Sequence, residues 1–251
     1  MTPSHSHLVL IPSYNTGAIL AETLAGARAA WAPVWLVIDG TTDGSADALQ
    51  DDPATGFRVL RLPRNRGKGA AVMAGLMEAE GQGFTHALVM DADGQHPAAQ
   101  IAEFMAASIA APDAMVLGVP VFGPEAPQLR VRGRQISNGW ANLETLGAGV
   151  GDSLFGFRVY PIAPLLRIMR RQSGMRRFDF DPEAAVRLSW AGVPALNLPA
   201  KVRYVAAAEG GVSHFRYGRD NLLLTRMHAR LFFGMIIRLP LLLGRRFSRR
   251  S

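Results

Sequence analysis

Asp91 and Asp93 stand one residue apart in "VMDADGQHP" (89–97), directly after an apolar run. Two carboxylates at the end of a buried strand repel each other and resist desolvation. Either a cation sits between them, or both face solvent in an Asx-type turn. A hard divalent ion such as Mg²⁺ or Mn²⁺ is held by one or two carboxylates, with substrate phosphates completing its shell. Gln95 can add an amide oxygen, and the ion would stabilise a departing diphosphate. His96, beside Pro97 at a helix start, is expected to be exposed. Upstream, "RNRGKGAAVMAG" (64–75) sets Arg64, Arg66 and Lys68 around Gly67 and Gly69. Backbone amides, a helix dipole and cations together suit a phosphate, although the P-loop spacing is absent and the glycines alone would also shape a turn. Asp39 ends an apolar run and can accept hydrogen bonds from a ribose or a base. Asp43-Gly44 reads as a turn, with Ser45 capping the next helix.

The elements that must position these residues follow from periodicity. Leu8–Ile11, Val34–Ile38, Phe57–Leu62, Ala87–Met90 and Ala114–Gly118 read as strands. Ala18–Ala30, Ser45–Gln50, Gly69–Glu80 and Pro97–Ala110 read as helices between them. That alternation predicts an α/β fold with a mainly parallel sheet, whose ligands lie at the carboxyl ends of the strands. Four consecutive strand ends carry polar, Gly-rich loops: "PSYNTG", "DGTTDGS", "PRNRGKG" and "DADGQH". In a parallel sheet all four share one edge. Further on, Gln128–Leu146 is expected as one helix, with Arg130, Arg132 and Arg134 near its start. On charge pattern alone these arginines form a solvated face. Pro161–Arg171 and Pro182–Trp190 read as helices, Val193–Leu198 and Lys201–Tyr204 as short strands. Trp31, Trp35, Trp140 and Trp190 read as core or helix-packing residues. His214 and His228 read as packing or interfacial residues with no metal role.

The chain has 251 residues, 49% hydrophobic and 19% charged, enough for a sizeable core, and no cysteine. Disulfides and thiolate metal sites are therefore excluded, which suits a reducing compartment. Nine Arg and one Asp lie from Ser213 to Ser251, giving +8 of the net +7, so the remainder carries −1. A near-neutral body with a basic, apolar tail fits an anionic membrane surface, and lacks the interleaved aromatics of a nucleic-acid binder. No signal peptide is visible in "MTPSHSH". The longest apolar run, Leu231–Leu243, is broken by Arg238 and Pro240 and falls short of the ~18 residues of a membrane span. Residues 219–250 are expected to form one or two amphipathic helices. Leu222, Leu223, Met227, Leu231, Phe232, Met235 and Ile236 give the apolar stripe, and Arg219, Arg226 and Arg230 lie elsewhere. Interfacial association without spanning follows, with residues 1–212 as the body and 213–251 as the extension. The expected location is cytoplasmic and peripheral, at the inner face of the cytoplasmic membrane.

In order, "IPSYNTG", "IDGTTDGSAD", "RNRGKGAAVMAG" and "MDADGQHP" resemble family 2 glycosyltransferases, in particular the dolichyl- or polyprenyl-phosphate sugar synthase branch. "GDSLFGFRVYP" is similar to that branch's D-x-x-x-G-F-R element, and "RRFDFDPEAAVRLSWAGVPALNLPAKVRY" to its acidic helix and following strand. "GGVSHFRYGRDNLLLTRMHARLFFGM" resembles the tail of a bacterial subgroup associated with lipid or aryl-polyene biosynthesis. The resemblance implies the GT-A fold of nucleotide-diphospho-sugar transferases. It places Pro12, Tyr14 and Asn15 beside the nucleotide, Asp39 near the base or ribose, and Lys68 on the nucleotide's side of the cleft. Asp91 and Asp93 become D-x-D metal ligands with Gln95 nearby. Arg134 and Ser137 fall at the acceptor phosphate, and Arg158 near donor and acceptor. Two positions depart: "IDGTTDGS" lacks one carboxylate of the usual D-D-G-S, and "LGVPVF" lacks the usual Arg after the fifth strand. The implied reaction is inverting transfer from a UDP- or GDP-sugar to a lipid-linked acceptor. A phosphate acceptor needs no strong base; a hydroxyl does. Asp179 and Asp181 are the candidates, Asp181 preferred, although it also suits a cap for a helix opening at Pro182. The competing functions are a nucleotidyltransferase acting on a sugar phosphate and a catalytically degenerate membrane module.

Overall fold

The computed structural model describes residues 2–123, 128–203 and 217–248. In chain order the elements are β1 (His7–Ser13), α1 (Ile19–Ala30), β2 (Val34–Asp39), β3 (Arg58–Leu62), α2 (Lys68–Gly81), β4 (His86–Val89), α3 (Ile101–Ala110), β5 (Met115–Val121), α4 (Gln128–Glu144), β6 (Arg158–Pro161), α5 (Ile162–Arg171), α6 (Phe180–Ala191), β7 (Ala195–Lys201) and α7 (Tyr217–Ser248). The strands form one sheet in the order β3-β2-β1-β4-β6-β5-β7. β1, β2, β3 and β4 run parallel, so their four Gly-rich loops do share one edge. β6 enters antiparallel between β4 and β5.

β1, β2 and β4 are buried along their whole length, which is why they read as unbroken apolar runs. Alternation along β1 divides two cores. Leu8 and Leu10 join Trp35, Val37 and Leu76 on one face of the sheet. Val9 and Ile11 join Leu36, Ile38 and Phe104 on the other. At the amino edge His7 and His86 stack with ring centroids 4.5 Å apart, and His7 Nε2 meets Ser108 Oγ at 3.2 Å.

Several boundaries differ from the sequence expectation. Ser45–Gln50 is a turn, not a helix, because Asp43 Oδ1 accepts the Ser45 N–H and hydroxyl and closes the chain locally. Residues 98–100 form one 3₁₀ turn before α3. The two short strands expected near 193–204 are one strand, β7, running through Pro199. Among the described residues β7 pairs only with β5, and an edge strand tolerates a residue without an N–H. α6 opens at Phe180, two residues before Pro182. Trp35 and Trp190 are core residues, but Trp140 is 42% exposed. Tyr204, His214 and the 212/213 boundary lie outside the described residues, as do the side chains of Arg130 and Arg132.

The tail is a single helix, α7, with Pro240 inside it. Met227, Leu231, Met235 and Leu242 are buried against the body, where α7 meets α4 and α6. Phe233, Ile236, Ile237, Leu241 and Leu243 are exposed, as are Ile136, Trp140 and Leu143 on α4. By length and composition alone, Gly218–Arg245 is long and apolar enough to cross a membrane. A count of uninterrupted apolar residues misses this because the arginines break the run.

Candidate active site

The four loops at the carboxyl edge open into one cleft of about 1530 Å³. Pro12, Tyr14, Asp39, Lys68, Asp91, Asp93, Gln95, Arg134, Ser137 and Asp181 all line it. Asn15 stands beside it at φ 45°, its Oδ1 accepting the Thr42 N–H at 2.8 Å.

Lys68 begins α2 and answers the electrostatic question posed by Asp91. Its ammonium lies 2.5 Å from Asp91 Oδ1 and 2.7 Å from Asp181 Oδ2. Burial works against the charge on Lys68, but the Asp181 and Asp91 carboxylates hold its pKa above the ordinary value. Burial alone would raise the Asp91 carboxyl; Lys68 and then His96 outweigh it, and the net shift is downward. Asp93 accepts the Gln95 N–H at 3.1 Å, and burial together with Asp91 raises its carboxyl. Asp181 Oδ1 is buried without a hydrogen-bond partner. Three carboxylates thus gather at the Lys68 ammonium, with the Arg158 guanidinium beneath them, and the one negative charge left over favours a further cation. Among the described residues, no three Asp, Glu or His side chains are arranged to hold a metal ion by themselves. The donor set therefore suits an ion whose shell is completed by something other than protein, such as a diphosphate.

Asp39 does more than border the cleft. Its two oxygens accept the N–H groups of Arg66 (2.8 Å) and Gly67 (2.7 Å), fixing the cationic loop to the end of β2. Burial raises its carboxyl against those two hydrogen bonds. Gly67 and Gly69 are required by contact. A Cβ at Gly67 would strike the Arg176 carbonyl and Arg177, and one at Gly69 the Met175 carbonyl. The segment they touch is held by Asp179, which accepts the N–H groups of Met175 and Arg177.

Several predicted roles change. His96 is buried, not exposed: Phe155 and Phe157 enclose it, and its Nδ1 accepts the Asp91 N–H at 2.8 Å. Burial lowers its pKa, so the neutral ring positions the backbone of Asp91. Asp181 does not cap a helix at Pro182; it lies inside the first turn of α6 and pairs with Lys68. Arg158 has no solvent exposure and does not line the cleft. Its guanidinium donates to the Asp181 carbonyl (2.5 Å), the Asp152 carbonyl (3.0 Å) and the Tyr160 hydroxyl (3.0 Å). It acts from beneath the site by tying β6 to both loops. Arg134 pairs with the buried Asp152 at 2.6 Å and is not a solvated charge.

Ser137, one helical turn beyond Arg134, belongs to a network the sequence did not reveal. Its Oγ is 3.1 Å from His228 Nε2, and His228 Nδ1 is 2.9 Å from Glu144 Oε1. Ser153 completes it, with its hydroxyl near Ser137 Oγ and Asn138 Oδ1. The only local signal was the Ser137–Glu144 spacing of seven, which puts both on one face of α4. Beyond this network the cleft becomes apolar, walled by Ile136 and Trp140 of α4 and Leu224, Phe232 and Phe233 of α7.

Comparison with known proteins agrees with this arrangement. The family description "Glycosyl transferase family 2" matches residues 8–173. Polyprenol monophosphomannose synthase of Mycolicibacterium smegmatis is 28% identical over 167 residues, covering 63% of this chain and 62% of the relative. The undecaprenyl-phosphate 4-deoxy-4-formamido-L-arabinose transferase of Pectobacterium carotovorum is 35% identical over 102 residues, 37% of this chain and 30% of the relative. The matches therefore span less than two thirds of these relatives' own length. Glucosyl-3-phosphoglycerate synthase of Mycobacterium tuberculosis, solved with Mn²⁺, UDP and glucosyl-3-phosphoglycerate, shares the fold, with a TM-score of 0.59 at 16% identity over 92% of this chain and 80% of that one. The sheet is of the GT-A type, and the chain belongs to glycosyl transferase family 2.

Proposed function

We propose that the chain transfers a sugar from a nucleotide-diphosphate donor, a UDP- or GDP-sugar, to a lipid-linked acceptor, with Mg²⁺ or Mn²⁺ bound at Asp91, Asp93 and Gln95. The observation that carries this reading is the continuity of the cleft. Its polar end holds Asp91, Asp93 and Lys68, and its other end is walled by Trp140, Phe232 and Phe233. The names of the relatives, which act on polyprenol and undecaprenyl phosphates, and the Mn²⁺ and UDP in the neighbouring structure support the same assignment.

When bound, the ion would supply charge stabilisation for the departing diphosphate. The chain's own part is to hold Asp91 ionised through Lys68, to set its backbone through His96, and to bring Lys68 and the α2 amides to one edge. Pro12, Tyr14 and Asn15 border the nucleotide's place. The acceptor's lipid would lie along the apolar wall, with the exposed residues of α4 and α7 resting on an anionic bilayer. We place the enzyme at the inner face of the cytoplasmic membrane, peripheral: Met227, Leu231 and Met235 of the α7 stripe pack on the body, while Leu222 and Ile236 of the same stripe stay exposed with Phe233 and Ile237.

Calorimetric titration with UDP, GDP and their sugar conjugates tests the donor half, with and without Mn²⁺, on wild type and Asp93→Ala. Metal-dependent binding to one base, lost in the variant, is expected; no binding to any of them overturns the reading. Sedimentation with anionic liposomes tests the surface half. Phe233→Glu with Ile237→Glu, at positions 65% and 79% exposed, should release the protein, and undiminished binding overturns the membrane assignment.

A further inference from the structure

Ser137, His228 and Glu144 are polar groups placed where a lipid acceptor's tail alone would need none. Each is nine-tenths buried or more, and Ser137 and His228 line the cleft. A carboxylate is acceptor-only, so the His228 hydrogen that faces Glu144 sits on Nδ1, and in the neutral tautomer this selects, Nε2 carries none. Nε2 is then an acceptor, and the Ser137 hydroxyl is the donor that faces it. This is a nucleophile-side hydroxyl, a base and an orienting acid in series, with hydrogen-bond spacings of 3.1 and 2.9 Å. Ser153, which touches Ser137, is followed by Leu154, and Leu154 lines the smaller recess shared with Asp91, Asp93 and Arg134, so the network lies beside the donor end.

Two neighbours argue about the acceptor's charge. Arg134, one helical turn before Ser137 on α4, is already neutralised by Asp152. Asp181, the other candidate base, is held in an ion pair with Lys68, which weakens it as a proton acceptor. The relay is thus the group equipped to take a proton.

We infer that Glu144, His228 and Ser137 form a proton-accepting relay and that the group glycosylated is a lipid hydroxyl. This rests on the transferase reading and specifies its acceptor. In the step, the acceptor oxygen forms the new bond to the anomeric carbon as the bond from that carbon to the diphosphate oxygen breaks, its electron pair leaving with the diphosphate. The hydroxyl proton passes to Ser137 Oγ while the Ser137 proton passes to His228 Nε2. Glu144 holds the resulting imidazolium until solvent removes the proton. Other charged groups around the relay are Glu183 of α6, which with burial raises Glu144, the Arg134–Asp152 pair, and Arg219 and Asp220 on the α7 wall.

The test uses the full chain in mixed micelles with the donor identified by calorimetry, and farnesol or farnesyl phosphate as the acceptor probe. Wild type should glycosylate farnesol, with a rate that falls on the acid side. His228→Gln should lower kcat on farnesol by about 10²–10⁴-fold, flatten that acid limb and leave donor affinity unchanged. Ser137→Ala, which removes one hydroxyl and no packing, should lower kcat at least about tenfold with the same donor affinity and guards against misfolding of the histidine variant. Transfer confined to farnesyl phosphate, or an unaltered pH profile and kcat in both variants, overturns the relay while leaving the transferase reading intact. Absence of donor binding overturns both.

Discussion

The two ends of the cleft bury acidic groups by opposite means. At the donor end, Asp91 and Asp181 are matched by a full charge, Lys68, and the match still leaves negative charge over. In the acceptor arm, Glu144 is matched by an imidazole, and its second oxygen is buried without a partner. The first arrangement is electrostatically open and invites a cation. The second is closed to ions and invites a proton. Buried carboxylates alone do not announce a metal; the group set against them decides which chemistry they serve.

Removing the ammonium breaks the comparison most severely. Lys68→Met leaves Asp181 buried and uncompensated, and breaking such a pair costs about 3–5 kcal/mol; with Asp91 a third exposed, about 3 kcal/mol is expected in urea unfolding. A reference imidazole away from both ends comes next. Burial and then His86 lower His7 to about 4 from 6.5, so the folded state refuses a proton that the unfolded state takes. Stability must therefore fall as pH drops from 6.5 to 4, by up to about 3 kcal/mol, and His7→Gln should flatten that slope. Glu144 has the opposite sign. Its raised carboxyl costs stability above the folded value and is relieved as pH falls toward the ordinary value, so Glu144→Gln should steepen the same acid slope.

Asp93→Asn sharpens the contrast at the donor end. It should weaken metal-dependent nucleotide binding about 100-fold, roughly 2.7 kcal/mol, yet leave the unfolding midpoint level or higher, because it removes repulsion with Asp91. A fall in stability matching the loss of binding would show that Asp93 is structural. The smallest effect belongs to Arg230, 45% exposed beside Glu183, which Arg187 also neutralises. Arg230→Ala should cost under about 1 kcal/mol by the same unfolding assay.

The donor end was legible because its information is local. Apolar runs followed by Gly, Asp and Lys place strand, loop and helix within ten residues of one another, and Asp91, Asp93, Lys68 and Asp39 fall on one edge as the parallel order requires. The acceptor arm was not, because it is assembled across distance. His228 reaches Glu144 over 84 residues and Ser137 over 91. His96 looked exposed because the rings that bury it, Phe155 and Phe157, arrive from the loop before β6, about sixty residues on. The helix expected at Ser45–Gln50 failed for a local reason: six residues give too few hydrogen bonds to outweigh a side-chain-closed turn. Arg158 was expected beside donor and acceptor, yet it is fully buried and supports the cleft from beneath.

The latch between the start of α2 and the segment before α6 also limits how the chain can vary. Ala70 donates to the Arg176 carbonyl at 3.1 Å, and the space a Cβ would need at Gly67 and Gly69 is filled by Met175, Arg176, Arg177 and Phe180. The stretch from Met175 to Asp181 is therefore a spacer of set length: one inserted residue there would carry Asp181 out of register with Lys68. The exposed residues 81–83, where α2 ends in a turn and a Cβ at Gly81 or Gly83 would meet open space, carry no such obligation, and changes of loop length among homologous chains should collect there while the spacer keeps its count.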